Sequence, residues 1–196
     1  MKLVAIYGSP RVNGNSDLML KNFLEGAATV PNVTIEEIRI RRLNIKGCLS
    51  CGYCDTKGTC IQKDDMHKFY KALATCDRIV VASPNYFYSV PGQLKCFIDR
   101  TQALFMAQKL PADVDAGLRP LKPQNRKGFF LGVGATKGKR LFDCCKKTMY
   151  YFFDAIGVEY GGDYCVNQVD KKGEIKKYPE ILKKCREFGF NFVNSD

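Results

Sequence analysis

Four cysteines fall within thirteen residues, "CLSCGYCDTKGTC", with Cys48, Cys51, Cys54 and Cys60 separated by two, two and five positions. Four thiolates match the ligand count of a cubane [4Fe–4S] cluster. The two-residue gaps let Cys48, Cys51 and Cys54 converge on one side of such a cluster, with Gly47 and Gly52 easing the turn. Cys60 would return after Gly58 as the fourth ligand, and its longer gap suits a set that serves one cluster rather than two. Two other chemistries use the same residues. Zinc takes four thiolates, although structural zinc sites usually pair C-x₂₋₄-C units across a longer separation. A C-x-x-C pair can also act as a redox dithiol with no metal.

Three further stretches have compositions suited to a ligand. "GSPRVNGNS", residues 8–16, follows an apolar run and precedes a helical pattern. Gly8 and Gly14 permit tight backbone paths, while Ser9, Asn15 and Ser16 offer polar side chains and Arg11 a positive charge. A helix opening near Ser16 would point its positive end at the same place, which completes a phosphate cradle. The loop lacks the Gly-Lys-Ser/Thr of a P-loop and does not fit G-x-G-x-x-G. The plain alternative is an N-cap and a turn without a ligand. "SPNYFYSVPGQLKCFIDR", residues 83–100, crowds Tyr86, Phe87 and Tyr88 onto a connection stiffened by Pro84 and Pro91. A planar ring would give those aromatics a surface to pack against; a packing plug or an oligomer contact would use them equally well. "GVGATKGKR", residues 132–140, is a flexible turn whose backbone can approach a flat ligand closely. His67 is the single histidine, so no Ser-His-Asp triad or histidine-based hydrolase site can be assembled.

The elements that must position these loops alternate. Strands are expected at Lys2–Tyr7, Val33–Ile40, Asp77–Ser83, Lys127–Val133 and Glu159–Val166. Helices are expected from near Ser16, over Asp64–Cys76, from Gly92 to about Met106, over Arg140–Ile156, and from Pro179 to about Val193. Strand–helix alternation with continuous apolar strands predicts an α/β, doubly wound, five-stranded parallel sheet of flavodoxin-like type with helices on both faces. Its ligand crevice should lie at the carboxyl ends of the strands. Residues 1–196 are expected to form one domain, with the cysteine-rich segment 47–61 set in after the second strand. Gln108–Arg126, with Pro111, Pro120 and Pro123, is long for a connection and is expected to be a lid, a partner contact or a mobile loop.

Composition narrows the partners. The apolar runs are too short to span a bilayer, and the short N-terminal run reads as a strand, so a cytoplasmic protein is expected. In that compartment the ten cysteines should not form structural disulfides. Cys76, Cys96, Cys144, Cys145, Cys165 and Cys185 read as small core hydrophobes, although the adjacent Cys144 and Cys145 cannot share one helix face. The net charge of +11 is spread over dispersed lysine pairs. A solvated basic surface is the default, an acidic redox partner the alternative, and nucleic acid ranks behind both.

"GSPRVNGNS", "DDM" and "ASPNYFYSVPGQLKCFIDR" together resemble the flavodoxin-like NADPH-dependent FMN reductase superfamily. The cysteine run between them makes the chain similar, more closely, to the iron–sulfur flavoproteins. The resemblance implies that Ser9, Arg11, Asn15 and Ser16 bind the FMN phosphate. It assigns Pro84, Asn85, Tyr86, Phe87, Ser89 and Gly92 to the ribityl chain and isoalloxazine, and has Gly134 and Ala135 close over the ring. It also implies a homodimer or homotetramer. The expected function is an FMN-dependent oxidoreductase coupled to a [4Fe–4S] cluster on Cys48, Cys51, Cys54 and Cys60, exchanging electrons with a ferredoxin-like acidic carrier. Such a pair lets a two-electron donor feed a one-electron carrier, the cofactors supplying the chemistry. The alternative is a cluster-free NAD(P)H-dependent FMN reductase acting on quinones, nitro compounds or other small acceptors. A zinc-stabilised basic module on nucleic acid ranks last, because it leaves the cradle and the aromatic loop without a task. No motif separates NADH from NADPH or shows that either is used.

Overall fold

A computed structural model describes residues 1–111, 119 and 125–194. Five strands, β1 (Lys2–Tyr7), β2 (Thr34–Arg39), β3 (Arg78–Pro84), β4 (Lys127–Val133) and β5 (Glu159–Val166), form one sheet. Their order is β2-β1-β3-β4-β5 and every pairing is parallel. This is the flavodoxin-like arrangement predicted from the strand–helix alternation, with its switch point between β1 and β3.

The three inner strands are buried almost throughout, because helices cover them on both faces. The edge strands depart from that pattern. β2, "TIEEIR", keeps Glu36 and Glu37 part-exposed, and β5 is mostly half-buried. Charge on β2 discourages pairing with another chain. One face of the sheet packs Leu3, Ala5, Val80 and Leu131 against α1 (Asn15–Ala27) and α7 (Pro179–Asn194). The other packs Val4, Ile6, Val81 and Phe130 against α3 (Tyr70–Thr75), α4 (Gly92–Asp99), α5 (Gln102–Lys109) and α6 (Asp143–Ala155). α1 and α7 touch backbone to backbone: a Cβ at Gly26 would lie 1.9 Å from the Arg186 carbonyl oxygen, and one at Gly189 1.8 Å from that of Phe23.

Three helices differ from the sequence reading. The helix expected over Asp64–Cys76 is a 3₁₀ turn, Asp65–Lys68, followed by the short α3, because the Asp64 side chain caps the turn by accepting the Met66 N–H. The helix expected over Gly92–Met106 is broken between α4 and α5, where the Arg100 side chain is drawn into an ion pair with Asp64. α6 starts at Asp143 rather than Arg140, whose guanidinium pairs with Asp143 on the surface. The connection expected over Gln108–Arg126 opens with the last residues of α5, and its Pro120 and Pro123 lie outside the described residues. Arg126 is buried and donates to the carbonyls of Leu73, Cys76 and Ile156, closing the carboxyl ends of α3 and α6. Among the described residues no helix is long and apolar enough to cross a membrane.

Candidate functional site

Parallel strands deliver their following loops to one edge, and here the loops after β1, β3, β4 and β5 meet around a crevice. It is lined by Ser9, Arg11, Gly14, Asn15, Ser16, Pro84, Asn85, Tyr86, Gly134 and Ala135, together with Val133, Val169, Asp170 and Lys172. Nine of the twelve residues expected at a flavin site therefore share one lining, while Phe87, Ser89 and Gly92 are outside it. Val169, Asp170 and Lys172, from the loop after β5, are the lining residues that the sequence reading did not name; no motif marks that loop.

The cradle after β1 is built from the backbone up. The first helical bond of α1 runs from Leu18 N–H to Gly14 O at 3.0 Å, so the N–H groups of Asn15, Ser16 and Asp17 stand open at the helix's positive end. Ser9 and Ser16 are buried and Arg11 is exposed. The Ser9 hydroxyl accepts the Arg11 N–H at 3.1 Å. Asn15, a lining residue of the crevice, also has a structural task. Its amide donates to Lys171 O and accepts from Ile175 N–H, which bolts the loop after β5 onto α1. A buried pair missed from the sequence braces the loop from behind. Asp17 accepts the Asn13 N–H at 3.0 Å and pairs with Arg41 at 3.0 Å, while Arg41 donates to Ser9 O at 3.2 Å.

The loop after β3 is a two-residue turn closed by Tyr86 N–H to Ser89 O (2.8 Å) and Ser89 N–H to Tyr86 O (2.9 Å). Its central residues, Phe87 and Tyr88, both have positive φ, +50° and +61°. That geometry suits Asn-Gly and costs an aromatic residue on the order of 1–2 kcal/mol. Asn85 holds the turn by accepting the Tyr88 N–H at 3.0 Å, and its amide donates to Leu141 O. The Phe87 ring is fully exposed, at 103% of its reference area. Gly92 opens α4, and a Cβ there would meet nothing within 4 Å, so space remains above the helix's positive end.

The cysteine segment occupies the other end of α4. Gly52 (φ +71°) and Gly58 (φ +60°) bracket a short helix, α2 (Tyr53–Lys57). Gly47 is not among the residues with positive φ; Ser50 makes that turn instead at +52°. Cys48, Cys51, Cys54 and Cys60 line one cavity of about 460 Å³, whose wall also includes Arg100 and Ala103. Cys48 and Cys51 are exposed, Cys54 and Cys60 half-buried. Among the described residues no group of three or more His, Cys, Asp or Glu side chains closes tightly enough to hold a metal ion. Burial, then the neighbouring Asp55 carboxylate, pushes the Cys54 thiol up to about 11.

The Asp64–Arg100 pair fastens both ends of this segment. Arg100 donates to both Asp64 oxygens (2.6 and 3.2 Å), to Lys46 O (3.0 Å) and to Gln62 O (3.2 Å), and Asp64 accepts the Lys46 N–H at 3.1 Å. Burial alone would raise the Asp64 carboxyl, but the Arg100 guanidinium and the Lys46 and Met66 N–H groups outweigh it and hold the carboxyl below its usual range. The "DDM" and "DR" residues were visible in the sequence, but not that they meet.

Of the other cysteines, Cys76, Cys145 and Cys185 are buried, as expected of core hydrophobes; Cys96 and Cys165 are half-buried and Cys144 is exposed. Cys144 and Cys145 do face different surroundings. Burial raises Cys145, Cys165 and Cys185 to about 12 each.

A flavodoxin-like sheet with an open helix end, an aromatic turn and a glycine loop at its carboxyl edge is the frame of a flavin-binding class of protein. Residues 1–141 match the family model described as NADPH-dependent FMN reductase, and the chain belongs to that family. It is 39% identical over 100 residues to an iron-sulfur flavoprotein of Archaeoglobus fulgidus, covering 51% of this chain and 45% of the relative. An iron-sulfur flavoprotein of Methanocaldococcus jannaschii is 30% identical over 137 residues, covering 70% of this chain and 64% of the relative. The chain thus spans from under half to under two thirds of these relatives' length. The crystal structure of an FMN-dependent NADH-azoreductase from Bacillus anthracis in complex with FMN superposes with a TM-score of 0.70 at 17% identity, over 99% of this chain and 100% of that one. That likeness concerns the fold.

Proposed function

We propose that this chain is an FMN-dependent oxidoreductase that also carries a [4Fe–4S] cluster and passes electrons to or from a small redox carrier. The crevice carries the proposal: loops far apart in sequence bring a phosphate cradle, an aromatic turn and a glycine loop together in a chain of the FMN reductase family. When bound, FMN supplies two-electron and one-electron chemistry, and an iron–sulfur cluster one-electron chemistry.

The chain's own residues do the holding. Ser9, Arg11, Ser16 and the open N–H groups of α1 hold the phosphate, with Asn15 fixing the loop from β5 beside it. Pro84, Asn85 and Tyr86 form one wall for the ribityl chain and ring, and Gly134 and Ala135 the facing wall. Phe87, Ser89 and Gly92 complete that wall, the strained turn leaving the Phe87 ring exposed and free to cover a flat ligand. Cys48, Cys51, Cys54 and Cys60 hold the cluster. Thiols spread round a cavity of about 460 Å³ suit a cubane, with one thiolate on each iron, better than a single ion that needs all four sulfurs within about 2.3 Å. α4 runs from the crevice towards this cavity over eight residues, about 12 Å. The excess of 31 basic over 20 acidic residues favours an acidic partner such as a ferredoxin, with a rate that falls as salt rises. A homodimer or homotetramer and a cytoplasmic setting belong to the same reading.

A second reading, a cluster-free NAD(P)H-dependent FMN reductase acting on small acceptors, is favoured by one observation: no three of the four thiols converge on a point. Cys60→Ala separates the two. On the first reading it abolishes the cluster's visible absorption and spares FMN. A variant that keeps a full cluster rejects the ligand set, and a native chain with FMN that gains no such absorption on anaerobic reconstitution with iron and sulfide leaves the second reading.

A further inference from the structure

Arg100 is wholly buried, and four of its five N–H groups have acceptors: two on Asp64, one on Lys46 O and one on Gln62 O. The fifth, on Nε, has none. Among the described residues only two buried side-chain nitrogen or oxygen atoms lack a partner, Nε of Arg41 and Nε of Arg100. Of the two residues, only Arg100 lines the cavity that holds Cys48, Cys51, Cys54 and Cys60. A buried N–H without an acceptor loses its hydration and gains nothing, so a residue that lines the cysteine cavity carries one donor to spare. Cys60 also lies within electrostatic reach of both Arg100 and Tyr70, whose hydroxyl donates to Arg100 O at 3.1 Å.

We propose that Arg100 tunes the cluster, donating its Nε–H to a sulfur in the cavity and placing its charge beside it, so that the reduced state is favoured. This rests on the cluster reading above. Reduction adds one electron, and so one negative charge, to what the four thiolates hold; a nearby cation and an N–H···S bond both stabilise that added charge. Asp64 opposes the effect by neutralising the guanidinium, and its bidentate grip keeps Nε turned away from its own oxygens. The pair therefore has two separable roles: fastening the segment's ends, and setting its potential.

The test compares the native chain with Arg100→Lys and Asp64→Asn, all reconstituted anaerobically with ferrous iron and sulfide. Iron and sulfide per chain are counted, and each is titrated reductively while the spectrum of the reduced cluster is followed. Arg100→Lys keeps the charge but loses Nε–H, and should lower the ratio of reduced to oxidised cluster at a fixed potential about tenfold, ~59 mV for one electron. Asp64→Asn leaves the guanidinium with no opposing carboxylate and should raise that ratio. Opposite shifts support the proposal, because loosening the segment would move both variants the same way. Equal loading with unchanged potentials, or shifts in one direction, overturns the role of Arg100 alone. A native chain that takes up no iron and sulfide overturns this inference together with the cluster reading. Should Arg100→Lys not fold, judged by circular dichroism, the Asp64→Asn shift decides.

Discussion

The sharpest energetic consequence concerns the pair behind the phosphate cradle. Asp17 is 1% exposed in its side chain and Arg41 7%, so neither charge has water to fall back on. Asp17→Leu leaves a buried guanidinium unpaired, a loss of about 3–5 kcal/mol, and removes the acceptor of the Asn13 N–H, about 1 kcal/mol more. For a chain of this size 1 kcal/mol moves Tm by roughly 2–4 °C, so a fall of at least about 6 °C is expected. Arg41→Met should lose a similar amount, since it strands the Asp17 carboxylate and leaves Ser9 O without its donor. The double variant Asp17→Leu/Arg41→Met removes both charges together and should recover most of the loss, so that the coupling exceeds the loss of either single variant, about 4 kcal/mol. The assay is thermal or urea unfolding of the FMN-free chain followed by circular dichroism, which keeps ligand binding out of the comparison. Single and double variants that lose the same amount, or singles whose Tm falls by under about 2 °C, would show that the two buried charges do not depend on each other. The same singles should weaken FMN binding about tenfold where the fold is intact, because the loop from Ser9 to Asn13 is no longer held in place.

Gly189→Ala should destabilise the chain by about 3 kcal/mol, because its Cβ would sit 1.8 Å from the Phe23 carbonyl oxygen and α1 and α7 would have to part; chemical unfolding that shows less than about 1 kcal/mol contradicts the backbone contact. Replacing the strained turn, Phe87→Asn with Tyr88→Gly, should stabilise the FMN-free chain by about 1–2 kcal/mol and weaken FMN binding, measured by quenching of flavin fluorescence; unchanged stability would mean that the turn stores no strain. Asp64 has its folded pKa held below the usual carboxylate value, so its contribution is complete above about pH 4 and is lost as pH falls through the lowered folded value. Amide exchange across residues 46–62 should therefore stay slow from pH 6 to about 5 and accelerate only below about 4; acceleration by pH 6 would show that the pair does not fasten the segment.

Burial on both faces is what made the sheet legible. β1, β4 and β5 run over the residues expected from the sequence, and β2 and β3 are offset by only one residue at each end. The helix boundaries failed where a side chain acts across space rather than along the chain. Asp64 and Arg100 lie 36 residues apart, and their meeting both shortens α3 and splits α4 from α5. The cradle could be read from Gly8, Ser9 and Arg11 because its parts are local. The structural task of Asn15 could not, because its partners, Lys171 and Ile175, lie 156 and 160 residues further along the chain. Likewise Phe87 and Tyr88 suggested a ring to pack on, whereas their left-handed backbone could not be read from two residue types that ordinarily avoid it.

The cofactors that the chain carries when it is never exposed to air decide between a flavin–cluster protein and the alternatives. The direct measurement is purification under anaerobic conditions, followed by assay of flavin, iron and acid-labile sulfide per chain. About one FMN with about four irons and four sulfides is the expected result. A chain that binds zinc and no flavin would contradict both the crevice and the cluster.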